Sequence, residues 1–427
     1  MERRFEINMH DFRYKNNHLF CESVRIEDIA SNVGTPFYLY SYRTLIDHFG
    51  KLQEAFKEVN PLICYSMKAN SNSAILRALV KKGAGLDIVS GGELFKALRS
   101  GCVPRKIVYA SVGKTTREIR EAIRRGILFF NVESIPELEL INSIALSLRK
   151  TVQVAIRINP DVEPHTHRFI TTGKLTNKFG IDFETARRIF LQRNRFASLK
   201  INGLHMHIGS QIIESSPFIG AIRRVAAFVA ELRRLGVRLK YLNIGGGLGI
   251  VYKNERPQTA AEFASAVMPI LRKTGLKIIL EPGRFIVGNA GILVARVLYI
   301  KRSKTKTFAI VDAGMNDLIR PALYEAYHEI LPLREISHSV RTKYDVVGPI
   351  CESADFLAKD RTMPKLAVGD LLAVMGAGAY GFSMSSNYNQ RLRAAEVMVN
   401  KNQFFITRRR EDYSDLLKGE VIPGFLK

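Results

Sequence analysis

Cysteine is scarce in this chain. The four cysteines, Cys21, Cys64, Cys102 and Cys351, stand far apart. They offer no paired spacing for a metal site and no framework for disulfides, which fits a reducing cytoplasm. Long apolar runs are missing too. The most apolar long stretch, "FIVGNAGILVARVLYI" from Phe285 to Ile300, is broken by Asn289 and Arg296. Its β-branched residues read as strand and not as a membrane span. The opening "MERRFEINMHDFRYKNN" carries charge throughout and lacks the apolar centre of a signal peptide. No internal repeat, low-complexity tract or long flexible linker stands out. What remains is a soluble, cytoplasmic protein with no membrane partner.

Acidic residues are also in deficit: 40 Asp and Glu against 64 Lys and Arg, a net charge of +24. Such a balance invites a nucleic-acid reading. The basic residues, however, are spread through helix-like segments such as "RALVKKG", "TTREIREAIRRG" and "ELRRLGVRLK", mixed with apolar residues at helical spacing. "RRR" at Arg408 to Arg410 is the one tight cluster. A solvated basic surface that favours small anionic substrates is the expectation, with no nucleic-acid partner.

What is present is a regular alternation. Eight short apolar runs lie between Pro61 and Arg284: 62–66, 85–90, 106–111, 127–133, 152–159, 201–209, 241–247 and 277–284. Between them, stretches such as "NSAILRALVKKG" and "AIRRVAAFVAELRRLG" repeat apolar residues every three or four positions and end in glycine. Eight β–α units of this length point to a parallel (β/α)8, TIM-like barrel. A doubly wound sheet is the alternative, because periodicity does not reveal closure. After Arg284 the texture changes to strand-like runs separated by turns. The expected organisation is a barrel over 35–284 and a discontinuous β-rich domain, barrel- or sandwich-like, over 1–34 and 285–427.

In such a barrel the chemistry gathers at the C-terminal ends of the strands. In "CYSMKANSN" an apolar run stops at Lys68. Lysine is almost never fully buried without a partner, so Lys68 is either a surface residue or a positioned amine. The other strand ends carry Asp87 and Ser90, Asn131 and Glu133, Arg157 and Asn159, His205 and His207, Gly245 to Gly247, and Glu281 with Arg284. "NIGGGLG" offers backbone N–H groups that can approach a phosphate; a tight strand-to-helix turn is the other reading. Period-two alternation places His205 and His207 on one side of a strand. They could bind a metal, yet no third ligand stands at a suitable spacing, so no metal is expected. One of the two could instead stack on a flat ring. A phosphate cradle, a strand-end lysine and a lone acid in "LEPGR" together suggest pyridoxal 5'-phosphate, which needs an amine, a phosphate site and a group governing its ring nitrogen.

The motifs "YSMKAN", "GLDIVSGGEL", "KFGID", "HMHIGSQ", "NIGGGLG", "LEPGR", "VDAGMNDLIRPALY", "GPICESADF", "GAGAYGFSMSSNYN" and "RLRAAEV" run in order from near residue 60 to residue 397. Together they make the chain resemble the diaminopimelate decarboxylases, of the alanine-racemase-like, barrel-type group of pyridoxal-phosphate enzymes. The resemblance implies that Lys68 holds the cofactor through a Schiff base, that His207 stacks on its ring and that Glu281 pairs with the ring nitrogen. Ser210, Gly247, Gly283 and Arg284 would serve the phosphate end. Arg284, Arg320 and Tyr324 would contact substrate, and Tyr380 would touch both cofactor and substrate. Cys351 and Glu352 would reach into the partner's site of a homodimer, with Cys351 as proton donor. Where the family more usually has proline before the second arginine, this chain has "RLRAAEV".

The implied reaction is decarboxylation of meso-2,6-diaminopimelate to L-lysine. Arg320 and Glu352 supply one charge of each sign for the substrate's distal carboxylate and amine. Decarboxylases of ornithine, arginine or carboxynorspermidine are the nearest alternatives. For ornithine, Arg320 speaks against them, since that substrate has no distal carboxylate. A racemase would typically place arginine where Glu281 stands. A non-catalytic cofactor carrier would lack the β-rich domain and the "CES" motif.

Overall fold

A computed structural model describes residues 10–163, 178–335 and 340–426. The chain divides into two compact units, residues 46–287 and residues 1–45 with 288–427.

In the first unit eight parallel strands close into a barrel: β1 (Leu62–Ser66), β2 (Gly85–Ile88), β3 (Ile107–Tyr109), β4 (Phe129–Val132), β5 (Val152–Arg157), β6 (Leu199–His205), β7 (Tyr241–Asn243) and β8 (Lys277–Leu280). They pair in chain order, and β8 closes on β1 through Ile279 beside Leu62 and Leu280 beside Ile63. Closure settles the choice between barrel and doubly wound sheet. The strands are apolar nearly throughout because a parallel sheet wrapped in helices is buried on both faces. Cys64, Val108, Phe129, Ala155, Tyr241 and Ile279 fill part of the interior. Val108, Phe129 and Ile279 each contribute about 1.5–3 kcal/mol on burial.

The helices start and stop where local chemistry directs. Thr116–Arg125 begins in a reciprocal capping box between Thr115 and Glu118 and ends on Gly126 at φ +69°, satisfying otherwise orphaned backbone groups. It buries Ile119, Ala122 and Ile123 and turns Arg117, Arg124 and Arg125 to solvent. Here the surplus positive charge is a solvated helix face. Ser73–Lys81 and Gly91–Arg99 are capped by Asn72 and Ser90, which lie in the loops after β1 and β2, so the caps hold the loops that carry the site. No helix among the described residues is long and apolar enough to cross a membrane.

The second unit is built on one branched sheet. Its main path runs Phe356–Pro364, Arg341–Val347, Thr307–Val311, Gly291–Arg302, Phe37–Ser41, Ala395–Asn400 and Gln403–Arg408. Leu371–Val374 also pairs with Gly291–Arg302 and carries Ile330–Pro332 on its other edge. The N-terminal hairpin and the helix Ile26–Val33 pack here: Phe12, Leu19, Ile26 and Ile29 share a core with Phe37, Leu39, Ile292, Val294 and Val397. One boundary differs from the sequence reading, which places residues 35–45 with the barrel. All five residues of Phe37–Ser41 are buried, so the run looks like another parallel barrel strand. It instead needs a neighbour on each edge and finds them in Gly291–Arg302 and Ala395–Asn400.

Candidate active site

The barrel strands end in a buried polar layer. Register sets it: Ser66 of β1 lies beside Asp87 of β2, and His205 of β6 lies beside both Arg157 of β5 and Asn243 of β7. Glu281, the residue after β8, is buried in the midst of these ends. Its Oε1 accepts from Asn131 Nδ2 at 3.0 Å and from Asn243 Nδ2 at 2.5 Å. Its Oε2 is 3.1 Å from His205 Nε2. A carboxylate oxygen accepts, so this nitrogen of His205 carries the proton. Burial works against ionising Glu281, but His205, Lys68 and the Asn243 hydrogen bond outweigh it and hold the carboxyl well below its usual range. The site therefore keeps a dry, ionised carboxylate.

Lys68 lies two residues beyond β1, with a side chain 38% exposed and Nζ 3.4 Å from Asp87 Oδ2. The same oxygen accepts from Ser66 Oγ at 2.6 Å, while Asp87 Oδ1 is buried with no hydrogen-bond partner. Burial and repulsion from Glu281 push Asp87 upward, against the attraction of Lys68. Two carboxylates in one dry pocket thus divide their roles: Glu281 stays ionised, and Asp87 takes a proton more readily.

The two histidines, expected on one side of a strand, do separate jobs. β6 ends at His205, which belongs to the Glu281 layer, and His207 falls in the loop beyond. There the backbone N–H of Gly246 donates to His207 Nδ1 at 3.3 Å. Burial, then the positive charges of Lys68 and Arg157, keep this imidazole far below its normal pKa, so it is neutral. Arg284 Nη1 donates to the Tyr252 hydroxyl at 2.6 Å, and its Nε and Nη2 donate to Ser210 Oγ at 3.3 and 3.1 Å. Gly245 and Gly247 adopt φ +70° and +110°. A side chain on Gly247 would meet the Gly209 carbonyl at 2.5 Å. Gly283 packs so closely that a Cβ would stand 3.0 Å from Ala69 and 3.1 Å from Ser66.

A second polar layer supports the first. Lys114, whose side chain is fully buried, donates to Glu137 Oε1 at 2.5 Å and to the carbonyls of Ser111 and Asn131, each at 2.8 Å. It therefore holds the backbone of the residue whose amide reaches Glu281. Arg157 and Glu133 form a buried pair at 2.9 Å. Replacing Lys114 by methionine should lower stability by about 3–5 kcal/mol, because Glu137 is left as a buried charge without its partner. Denaturant unfolding checks this: the double variant Lys114→Met, Glu137→Leu should regain much of the loss, and an unchanged midpoint for the single variant would contradict it.

The remaining predicted residues lie in the β-rich unit. Arg320 opens the short helix Arg320–Tyr324 and is 7% exposed, and Tyr324 is half-buried. Cys351 and Glu352 are exposed. The Cys351 backbone N–H donates to Asn389 Oδ1 at 2.8 Å, and Tyr388 donates to Glu352 Oε2 at 2.9 Å. Tyr380 takes φ +58°, uncommon for a bulky residue and a form of strain that clusters at functional sites. The described residues contain no group of three or more His, Cys, Asp or Glu arranged for a metal.

This geometry has relatives. A family model described as the pyridoxal-dependent decarboxylase, pyridoxal binding domain, matches residues 42–288. The diaminopimelate decarboxylase of Aquifex aeolicus is 47% identical over 95% of this chain and 96% of its own length. The chain belongs to the diaminopimelate decarboxylases. The family's member from Vibrio cholerae is 46% identical over 96% of this chain and 99% of its own. A crystal structure of the M. jannaschii enzyme, in co-complex with L-lysine, superposes with a TM-score of 0.93 at 39% identity, covering 97% of this chain and 99% of that one. These are pyridoxal-phosphate enzymes, and the donor set fits that cofactor. An amine, a desolvated ionised carboxylate, a neutral imidazole, and an arginine with two hydroxyls meet the needs of its aldehyde, ring nitrogen, ring face and phosphate.

Sequence reading missed several residues of this layer. Asn243 hides inside the apolar run "YLN", and Tyr252 follows the glycine loop with no motif of its own. Asp87, Asn131 and His205 were visible as strand ends but had no assigned role. One signal was available: a polar side chain closing an apolar parallel strand must be satisfied by its neighbours in the ring.

Proposed function

We propose that this chain decarboxylates meso-2,6-diaminopimelate to L-lysine and CO2, the last step of lysine biosynthesis. The observation that carries the reading is Glu281, kept ionised in a dry site by two amides and an imidazole. Pyridoxal phosphate, when bound, supplies an electron sink conjugated to the substrate's reacting carbon. Lys68 Nζ is the amine that would hold the cofactor covalently. Glu281 would keep its ring nitrogen protonated, and the neutral imidazole of His207 would face the ring without adding a second positive charge. Ser210, Gly247, Gly283 and Arg284 would serve the phosphate.

For the substrate, Arg320 pairs with the distal carboxylate and Glu352 with the distal amine, while Arg284, Tyr324 and Tyr380 complete its contacts. The carbon–carboxylate bond breaks, CO2 leaves, and one proton replaces it on the same carbon, so the charge of the lost carboxylate is balanced. Cys351 donates that proton. The exposure of Cys351 and Glu352 on their own unit supports a role in a partner protomer's site, which makes a homodimer the active form. Four unpaired cysteines support a cytoplasmic location.

The test is CO2 release by cofactor-loaded protein offered meso-diaminopimelate and L-ornithine side by side. Release from diaminopimelate with stoichiometric L-lysine is expected. Release from ornithine alone would overturn the substrate, and release from neither would overturn the reaction.

A further inference from the structure

Arg320 brings five N–H donors on a rigid planar fork into a buried position, so the plane in which that fork lies decides what it can bind. Its Nη1 stands 2.8 Å from His328 Nε2. The other ring nitrogen, Nδ1, stands 2.8 Å from the Met375 carbonyl. A carbonyl oxygen only accepts, so Nδ1 carries the ring proton. A guanidinium only donates, so Nε2 offers its lone pair. The two partners select one neutral tautomer, and the ring is 0% exposed.

The surroundings fix this ring in place. His328 lies two residues before the strand Ile330–Pro332, whose Ile330 pairs with Val374. The next ladder bond, from Met375 N–H to the Glu329 carbonyl, measures 2.8 Å. The ring therefore bonds the same residue that the neighbouring backbone bonds. The carbonyl of His328 accepts from Arg361 Nη2 at 3.0 Å, and the Arg361 guanidinium lies over the Tyr327 ring with its centre 3.5 Å from the centroid. A rigid acceptor at one corner of a guanidinium sets the plane of the other donors.

We propose that His328 is a positioning residue that orients Arg320 and so sets affinity for the carboxylate that diaminopimelate and L-lysine share. The inference rests on the proposed function and deepens it. His328 acts through Arg320 and carries no part of the bond-breaking step.

The amide groups of glutamine and asparagine separate the two ring nitrogens. Glutamine can place its amide oxygen near the Nε2 position and accept from Arg320. Asparagine reproduces only the donor at Nδ1. In the holoenzyme, His328→Asn should raise KM for diaminopimelate and the inhibition constant of L-lysine by roughly 10- to 100-fold, the worth of a hydrogen bond to a charged group. The kcat should move by less than about threefold, and His328→Gln should recover most of the affinity. Cadaverine, which has no carboxylate, should inhibit all three proteins alike. Unchanged lysine inhibition in His328→Asn, or equal weakening for cadaverine, would overturn the proposal. In 15N-histidine-labelled wild type with L-lysine bound, a neutral Nδ1–H tautomer is expected for His328. A protonated ring would overturn it even if no variant folds. The wild-type arm separates the two readings: no CO2 from diaminopimelate removes the proposed function and this inference with it, whereas normal turnover with an indifferent His328 removes the inference alone.

Discussion

Lys68→Ala should lower kcat for diaminopimelate by about 10²–10⁴-fold or more and abolish borohydride-dependent attachment of the cofactor to the chain. The amine stands just past β1, compensated by Asp87 at 3.4 Å yet exposed enough to reach a ligand. Alanine removes both the nucleophile and the positive charge. Because Lys68 is one of the influences that hold the Asp87 pKa down, its loss should also push that carboxyl further up. Lys68→Arg divides the two effects: it keeps a charge near Asp87 but offers no primary amine, so it should be as inactive as alanine. Mass spectrometry after borohydride reduction reads the outcome. A cofactor adduct retained in Lys68→Ala would sink the assignment of this residue.

Glu281→Gln should cost about 10²–10³-fold in kcat, the scale seen when one preorganised electrostatic partner is removed from an active site. Glu281 Oε1 and Oε2 face three N–H donors. A glutamine amide must turn its own NH2 toward at least one of them, so the variant loses a negative charge and gains a donor–donor clash. Its KM should move much less than its kcat, because the role proposed for this acid is toward the cofactor and not the substrate. The charge change has a second readout. Glu281 is, after burial, the strongest influence raising Asp87, so Asp87 should titrate at lower pH in the variant, visible in its carboxyl carbon shift. A variant with unaltered kcat and an unmoved Asp87 would refute the role given to this carboxylate.

The barrel was legible because its strands are buried on both faces and so read as short apolar runs, each closed by a polar residue. Lys68 and Glu281 stood out for the same reason: a charge at the end of such a run must be compensated or used. Partner identity was not legible. Nothing in "YLN" says that Asn243 serves Glu281, because that pairing depends on which strands become neighbours when the ring closes. The glycines of "NIGGGLG" read as a phosphate cradle, yet the contact that forbids a side chain at Gly246 is the Glu281 carbonyl, 2.1 Å from where a Cβ would stand. Protein packing therefore constrains that loop whatever it binds. Phe37–Ser41 was misplaced because a central strand of any sheet, parallel or mixed, carries the same unbroken apolar signature. His328 carried no motif at all; its role rests on two hydrogen-bond partners, eight and 47 residues away.

The position of Phe37–Ser41 has a consequence for how the protein is made. Its parallel neighbour begins at Ala395, paired with Phe37 across 358 residues. At about 5–20 residues per second, a ribosome needs roughly 20–70 s to deliver that neighbour after the strand itself emerges. Over that interval its other neighbour, Gly291–Arg302, and the eight barrel strands are made first, so this buried strand keeps one unpaired edge until Ala395–Asn400 emerges. Slow translation, or truncation anywhere before residue 395, should therefore expose this one segment to chaperones and to self-association first.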